Sequence, residues 1–239
     1  MRPILRPHHL PVLRSSALTA SADNPQPTMP DRVQFRDSIA RVVVLASGAG
    51  TLLTSLIEAS HADGYPAEIV AVGVDRDCLA AEHAADSKIP SFKVSIKAYE
   101  DRTAWDDALT AAVDEHEPDL VVSAGFMKIL GPTFLARFGG RIINTHPALL
   151  PAFPGAHAVP DALAYGVKVT GSTVHLVDGG VDTGPILAQE AVPVHDDDTE
   201  SSLHERIKIV ERRLLADVIA AVATRGVVSD GRKAVIPSE

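Results

Sequence analysis

The chain places an amide and an imidazole two residues apart, in Asn144-Thr145-His146-Pro147. Both are polar side chains that can donate a hydrogen bond from nitrogen. If the β-branched run Ile142-Ile143 continues as a strand through them, residues i and i+2 share one face. Asn144 and His146 would then project into the same space at the strand's carboxyl end. Pro147, Pro151, Pro154 and Pro160 follow, which predicts a stiff loop and no helix. Polar groups on a strand end beside such a loop are the usual makings of a site in an α/β sheet.

Other segments could join them. Ser47-Gly48-Ala49-Gly50-Thr51 follows an apolar run and opens a helical pattern. Glycines leave backbone N–H groups accessible, and a helix N-terminus attracts an anion such as phosphate. The third glycine of a dinucleotide fingerprint is missing, and so is the lysine of a P-loop, which favours a mononucleotide-like phosphate. Asp75, ending the second apolar run, keeps a dinucleotide ribose open as the alternative. Ser123 to Leu130 (SAGFMKIL) combines small residues with apolar ones that could line a slot for a flat ligand, or simply pack. Asp178-Gly179-Gly180-Val181-Asp182 carries two carboxylates. Alone it reads as a surface turn, and its spacing is not that of a calcium loop. His195-Asp196-Asp197-Asp198 reads as a solvated cap and turn. His175 lies on a strand-like run, and whether it faces site or core stays open.

The elements that must hold these groups alternate along the chain. Arg41–Ala46 (RVVVLA) is a continuous apolar run, as expected of a strand buried on both faces. A helical pattern follows from Leu52 to Ala59, then a strand over Ala67–Val74 and an Ala-rich helix over Leu79–Ser87. Ser91–Val94 is a short third strand, and Arg102–His116 a helix with Trp105, Leu109, Ala112 and Val113 as its apolar face. Asp119–Ser123 and Arg141–Thr145 are the fourth and fifth strands. This rhythm predicts a doubly wound, mostly parallel, Rossmann-like sheet. Val169–Val177 and Pro185–Val192 read as an antiparallel pair added to it. A long helix is expected from Thr199 to Ala223, with Ser202 and Glu205 as its capping box.

Composition sets the limits. The 239 residues are 46% hydrophobic but only 4% aromatic, so Val, Ile, Leu and Ala must fill the core. One domain over 39–239 is expected, behind a disordered Pro-rich tail over 1–38, with Met29 open as the natural start. A net charge of -9 argues against a nucleic-acid partner. Cys78 is the single cysteine, which excludes an intrachain disulfide and points to a reducing, cytoplasmic compartment. It sits in a turn with no histidine close by in sequence, so it is set aside as a nucleophile. No apolar run reaches the roughly 18 residues that span a membrane.

Four segments in this order, SGAGT, AGFMKIL, NTHPALLPAFPG and VDGGVDTGPILAQ, resemble the 10-formyltetrahydrofolate-dependent formyltransferase family. The likeness runs from about Arg41 to Ala221 and is strongest to its glycinamide ribonucleotide branch, which serves purine biosynthesis. The resemblance implies Asn144, His146 and Asp182 as the catalytic set. It implies a phosphate loop at Gly50, Thr51 and Leu52, with Glu211 on the substrate ribose. It implies a folate slot lined by Arg102, Met127, Lys128, Ile129, Leu130 and Asn144. 10-Formyltetrahydrofolate is then the co-substrate, with no metal, and a homodimer is left open. Four positions depart from the family pattern: Leu52 and Ala49 stand where asparagines are common, Lys208 where a glutamine meets the ribose, and Val159 where a second histidine is common.

The chemistry fits these types. Amine attack on a formamide carbon builds an oxyanion, to which Asn144 and a protonated His146 can donate. Asp182 would keep His146 charged and could take a proton. The competing members of the family are a tRNA formyltransferase, which carries an added C-terminal domain, and a deformylase with a regulatory domain in front. From a different class, a nucleotide-binding regulatory module without chemistry is opposed by the NTHP segment and Asp182.

Overall fold

A computed structural model describes residues 32–33 and 39–238. The rest of the expected tail, with Met29, lies outside the described residues. The first strand, β1 (Arg32–Val33), pairs antiparallel with a strand near the other end of the chain. The main run begins at β2 (Ala40–Ala46), followed by α1 (Thr51–Ser60), β3 (Ala67–Val74), α2 (Leu79–Asp86) and β4 (Ser91–Lys93). Then come α3 (Arg102–Asp114), β5 (Leu120–Ser123), α4 (Pro132–Phe138), β6 (Ile142–His146) and α5 (Ala158–Tyr165). The chain closes with β7 (Val169–Leu176), β8 (Ile186–Pro193), α6 (Glu200–Arg225), β9 (Val227–Ser229) and β10 (Ala234–Val235).

Seven strands form one sheet in the order β4-β3-β2-β5-β6-β7-β8. β4 to β6 are parallel, and β7 and β8 add on antiparallel, as the sequence reading expected. Strand order runs outward in both directions from β2 and β5, so the topological switch point lies between them. Ligands in such sheets bind at that point, beyond the carboxyl ends of the strands.

Alternation along β2 explains the layers. Val42, Val44 and Ala46 face the helices α1, α2 and α6, meeting Leu53, Ala80 and Val218. Val43 and Leu45 face the opposite layer, α3 and α4, meeting Trp105, Leu109 and Phe134. A strand buried on both sides must be apolar at every position, which is what RVVVLA supplies. Trp105 is fully buried and its indole N–H donates to Val94 O at 3.0 Å, so its polar atom is satisfied.

Three details differ from expectation. Pro160 does not exclude a helix; it stands in the first turn of α5, where a missing N–H costs nothing because that N–H has no intrahelical partner. The capping box of α6 joins Thr199 to Ser202 rather than Ser202 to Glu205. Asp198 is not solvated. It takes a two-pronged contact from Arg206 at 2.8 and 2.9 Å and its side chain is 3% exposed. A second, three-stranded sheet of β1, β9 and β10 was also absent from the sequence reading.

Candidate active site

β6 runs through His146, so Ile142, Asn144 and His146 share the face turned toward α3 and α4. Thr145 takes the opposite face, toward α6. β7 lies antiparallel to β6 with Asn144 opposite His175 and His146 opposite Thr173. The register therefore brings a second imidazole to the site. Asn144 Nδ2 lies 3.2 Å from His175 Nε2, and His175 Nδ1 lies 2.8 Å from Leu176 O. The His175 tautomer with its proton on Nδ1 satisfies both contacts: it donates to the carbonyl and accepts from the amide. That orients Asn144 and leaves its second amide N–H to point elsewhere.

Asp182 stands between the two rings. Its Oδ2 is 3.3 Å from His146 Nδ1 and its Oδ1 is 3.7 Å from His175 Nε2. The Gly155 N–H donates to Oδ2 at 2.8 Å. Burial acts to raise the Asp182 pKa, but the Gly155 hydrogen bond and the charge of His146 act against it, and the group lies below its ordinary value. The other nitrogen of His146, Nε2, lies 2.7 Å from Phe153 O. Both ring nitrogens thus face acceptors. With protons on both, the ring donates to Phe153 O and faces the carboxylate with a positive charge.

The residues expected to form a phosphate loop, Gly50, Thr51 and Leu52, stand at the start of α1. Gly50 is its N-cap at φ 70 and provides no side-chain cap, so the first N–H groups of the helix have no partner within it. A Cβ at Gly50 would lie 2.9 Å from Ala80 Cα, in α2. Only glycine suits both the left-handed conformation and that approach. Thr51 is exposed and Leu52 half-buried.

The segment Met127 to Leu130 is a loop after β5, held at each end. The Met127 N–H donates to Ser47 Oγ at 2.9 Å. At the far end, buried Asp106 accepts from the Gly131 and Thr133 N–H groups at 2.8 and 2.9 Å. Between these anchors Met127 and Ile129 are 71% and 60% exposed, while Leu130 is buried. Two apolar side chains therefore remain available to a flat ligand. Exposed Arg102 reaches this loop from the start of α3, hydrogen-bonding Ile129 O and lying over the Trp105 ring at 5.3 Å. Lys128 is committed elsewhere: its Nζ is 2.9 Å from Asp75 Oδ2. Asp75 is thus internally paired rather than open to a ribose.

Glu211 is not in the Asn144 cluster. It sits on α6, behind the sheet, buried at 6% exposure beside Thr145. Burial pushes its pKa up, against the Thr145 hydroxyl and the charges of Arg212 and Lys208. Lys208 pairs with Glu205 at 2.7 Å. A molecule touching Glu211 and His146 together must cross the carboxyl end of β6. Among the described residues no group of His, Cys, Asp and Glu could hold a metal ion, and no helix is long and apolar enough to cross a membrane.

The Formyl transferase family profile matches residues 40–219. This chain belongs to the formyl transferase family. Phosphoribosylglycinamide formyltransferase of Mycobacterium tuberculosis is 67% identical over 195 residues, which is 82% of this chain and 90% of that protein. The enzyme of the same name from Bacillus subtilis is 39% identical, over 75% of this chain and 92% of its own length. The crystal structure of glycinamide ribonucleotide transformylase 1 from Symbiobacterium toebii superposes with a TM-score of 0.81 at 39% identity, covering 84% of this chain and 95% of that one. Within its family the formyltransferase stands among the phosphoribosylglycinamide formyltransferases.

The sequence reading left open which way His175 faces, and it missed three parts of this formyltransferase's site: Gly155 as the clamp on Asp182, Phe153 O on His146, and Asp106 beneath the loop. Asp106 alone left a local signal, a carboxylate on the buried side of α3 beside Trp105 and Leu109.

Proposed function

We propose that this enzyme transfers the formyl group of 10-formyltetrahydrofolate to the amine of glycinamide ribonucleotide, a step of purine biosynthesis. The observation that carries the reading is Asp182 held between His146 and His175, with Asn144 alongside, at the carboxyl ends of the strands. The close likeness to enzymes named for that reaction supports it.

In this reading the nucleotide phosphate rests on the unpartnered N–H groups of Gly50, Thr51 and Leu52. The ribose lies toward Glu211. The pteridine lies against Met127, Ile129 and Leu130, and takes hydrogen bonds from the backbone of Lys128 and its neighbours. The folate glutamate meets Arg102. The amine attacks the formyl carbon and the carbonyl oxygen becomes an oxyanion. The free N–H of Asn144 and the Nε2–H of His146, which the oxyanion shares with Phe153 O, stabilise it. Asp182 holds His146 in place. The proton lost by the attacking nitrogen ends on the departing folate nitrogen, and His146 and Asp182 are the groups near enough to carry it.

Turnover with 10-formyltetrahydrofolate and glycinamide ribonucleotide, set against water alone, tests the reading. Formylation of the ribonucleotide with little hydrolysis is expected. Release of formate at the same rate without the ribonucleotide would overturn it in favour of a deformylase.

A further inference from the structure

Asp75 directly follows β3, beside the switch point, and is 4% exposed. Its carboxylate meets two cations, Arg76 at 2.7 Å and Lys128 at 2.9 Å, with the Ser47 hydroxyl alongside. The same Ser47 oxygen accepts the Met127 N–H. Ser47 opens the phosphate loop, and Met127 and Lys128 open the loop after β5. The strands beneath these loops stay paired up to Leu45 opposite Ser123, with the Ala124 N–H on Leu45 O at 2.8 Å. Beyond that last rung it is the Ser47, Asp75 and Lys128 side chains that join the two loops.

We propose that Asp75 is a positioning residue that ties the phosphate loop to the co-substrate loop, so that filling one site favours filling the other. This rests on the functional reading above. Asp75 touches neither substrate. It acts through Ser47, which fixes where the first loop leaves β2, and through Lys128 and Met127, which fix the second. A phosphate that orders the first loop orders the second through this cluster, and a pteridine does the reverse. Such coupling is reciprocal by thermodynamic necessity. The cluster also withdraws the Lys128 charge from the folate tail and leaves one surplus positive charge between two anionic ligands.

Calorimetric titration of a deazafolate lacking the formyl group, with and without glycinamide ribonucleotide, reads the coupling directly. In the unaltered chain the ribonucleotide should tighten the deazafolate by about tenfold, within the usual range of such couplings. Asp75→Asn should cut that factor to roughly twofold, because the two charge-assisted contacts are weakened. In turnover, its KM should rise for both substrates by more than kcat falls, since Asn144, His146 and Asp182 are untouched. Ser47→Ala removes only the hydroxyl bridge and should shift the factor the same way. It carries the test if Asp75→Asn, with Lys128 unpaired, fails to fold. Unchanged coupling in the variants, or none in the unaltered chain, overturns the proposal. An unaltered chain that binds the deazafolate but gives no heat with the ribonucleotide overturns the functional reading, and this proposal with it.

Discussion

Gly131 and Asp106 are fitted so closely that a Cβ on the glycine would fall 2.3 Å from the aspartate's carboxyl carbon. The closeness lets a buried carboxylate accept the Gly131 N–H from α3, across 25 residues. Gly131→Ala should therefore destabilise the fold by about 1–3 kcal/mol, as overpacking does. Asp106→Ala should cost about as much or more, by leaving the Gly131 and Thr133 N–H groups unpaired. Urea midpoints at constant slope check both. A neutral Gly131→Ala would mean that α4 shifts freely and the loop before it is not held.

His146 and Asp182 should behave as one unit in catalysis. Their 3.3 Å contact gives the carboxylate little to do once the imidazole is gone. His146→Ala and Asp182→Ala should each lower kcat by more than about a hundredfold, and the double variant should be little worse than the poorer single one. Losses that multiply across the double variant would show the two acting independently.

Two acids should leave opposite marks on stability against pH. The Asp182 pKa lies below its unfolded value, 3.8. Its contribution is present above that pH and is lost as pH falls toward the folded value. The Glu211 pKa lies above its unfolded value, 4.5. There the native state keeps a proton that the unfolded chain has released, so stability declines as pH rises through that window. Glu211→Gln should flatten the decline and leave the acid limb alone; Asp182→Asn should do the converse. Unfolding midpoints across the acid range measure this, and identical curves for variant and parent would remove the assignment.

Arg102 is exposed and already at the loop it would serve. Arg102→Ala should weaken folate binding by roughly 1–3 kcal/mol if it makes a charge-assisted hydrogen bond, with a smaller effect on the ribonucleotide. The difference should shrink as salt rises, since the contact faces solvent. Equal weakening of both ligands would indicate a disturbed loop instead, because the side chain also holds Ile129.

The parallel core and the antiparallel addition were legible because they follow from period and order: RVVVLA can only be a strand buried on both faces, and antiparallel runs need no crossover. Asn144 and His146 were legible through their spacing of two along one strand. His175 was not, because its direction depends on the register between β6 and β7, which is set by the whole sheet. Asp75 was misleading for a similar reason. A carboxylate at a strand end suits a ribose equally well until the lysine that neutralises it, 53 residues later, is seen beside it. Pro160 misled because a proline's meaning depends on which turn of a helix it occupies.

The site also divides its labour by strand. The groups assigned to formyl transfer come from β6, β7 and the turn after β7, whereas both loops proposed to hold the ligands leave β2 and β5. An engineer could therefore rebuild Met127 to Leu130 to accept a different carrier, keeping Gly131, Asp106 and Ser47 as fixed mounting points, without disturbing the imidazoles or their carboxylate. The same separation lets drift in substrate preference proceed in one half of the sheet while the reacting groups in the other stay as they are.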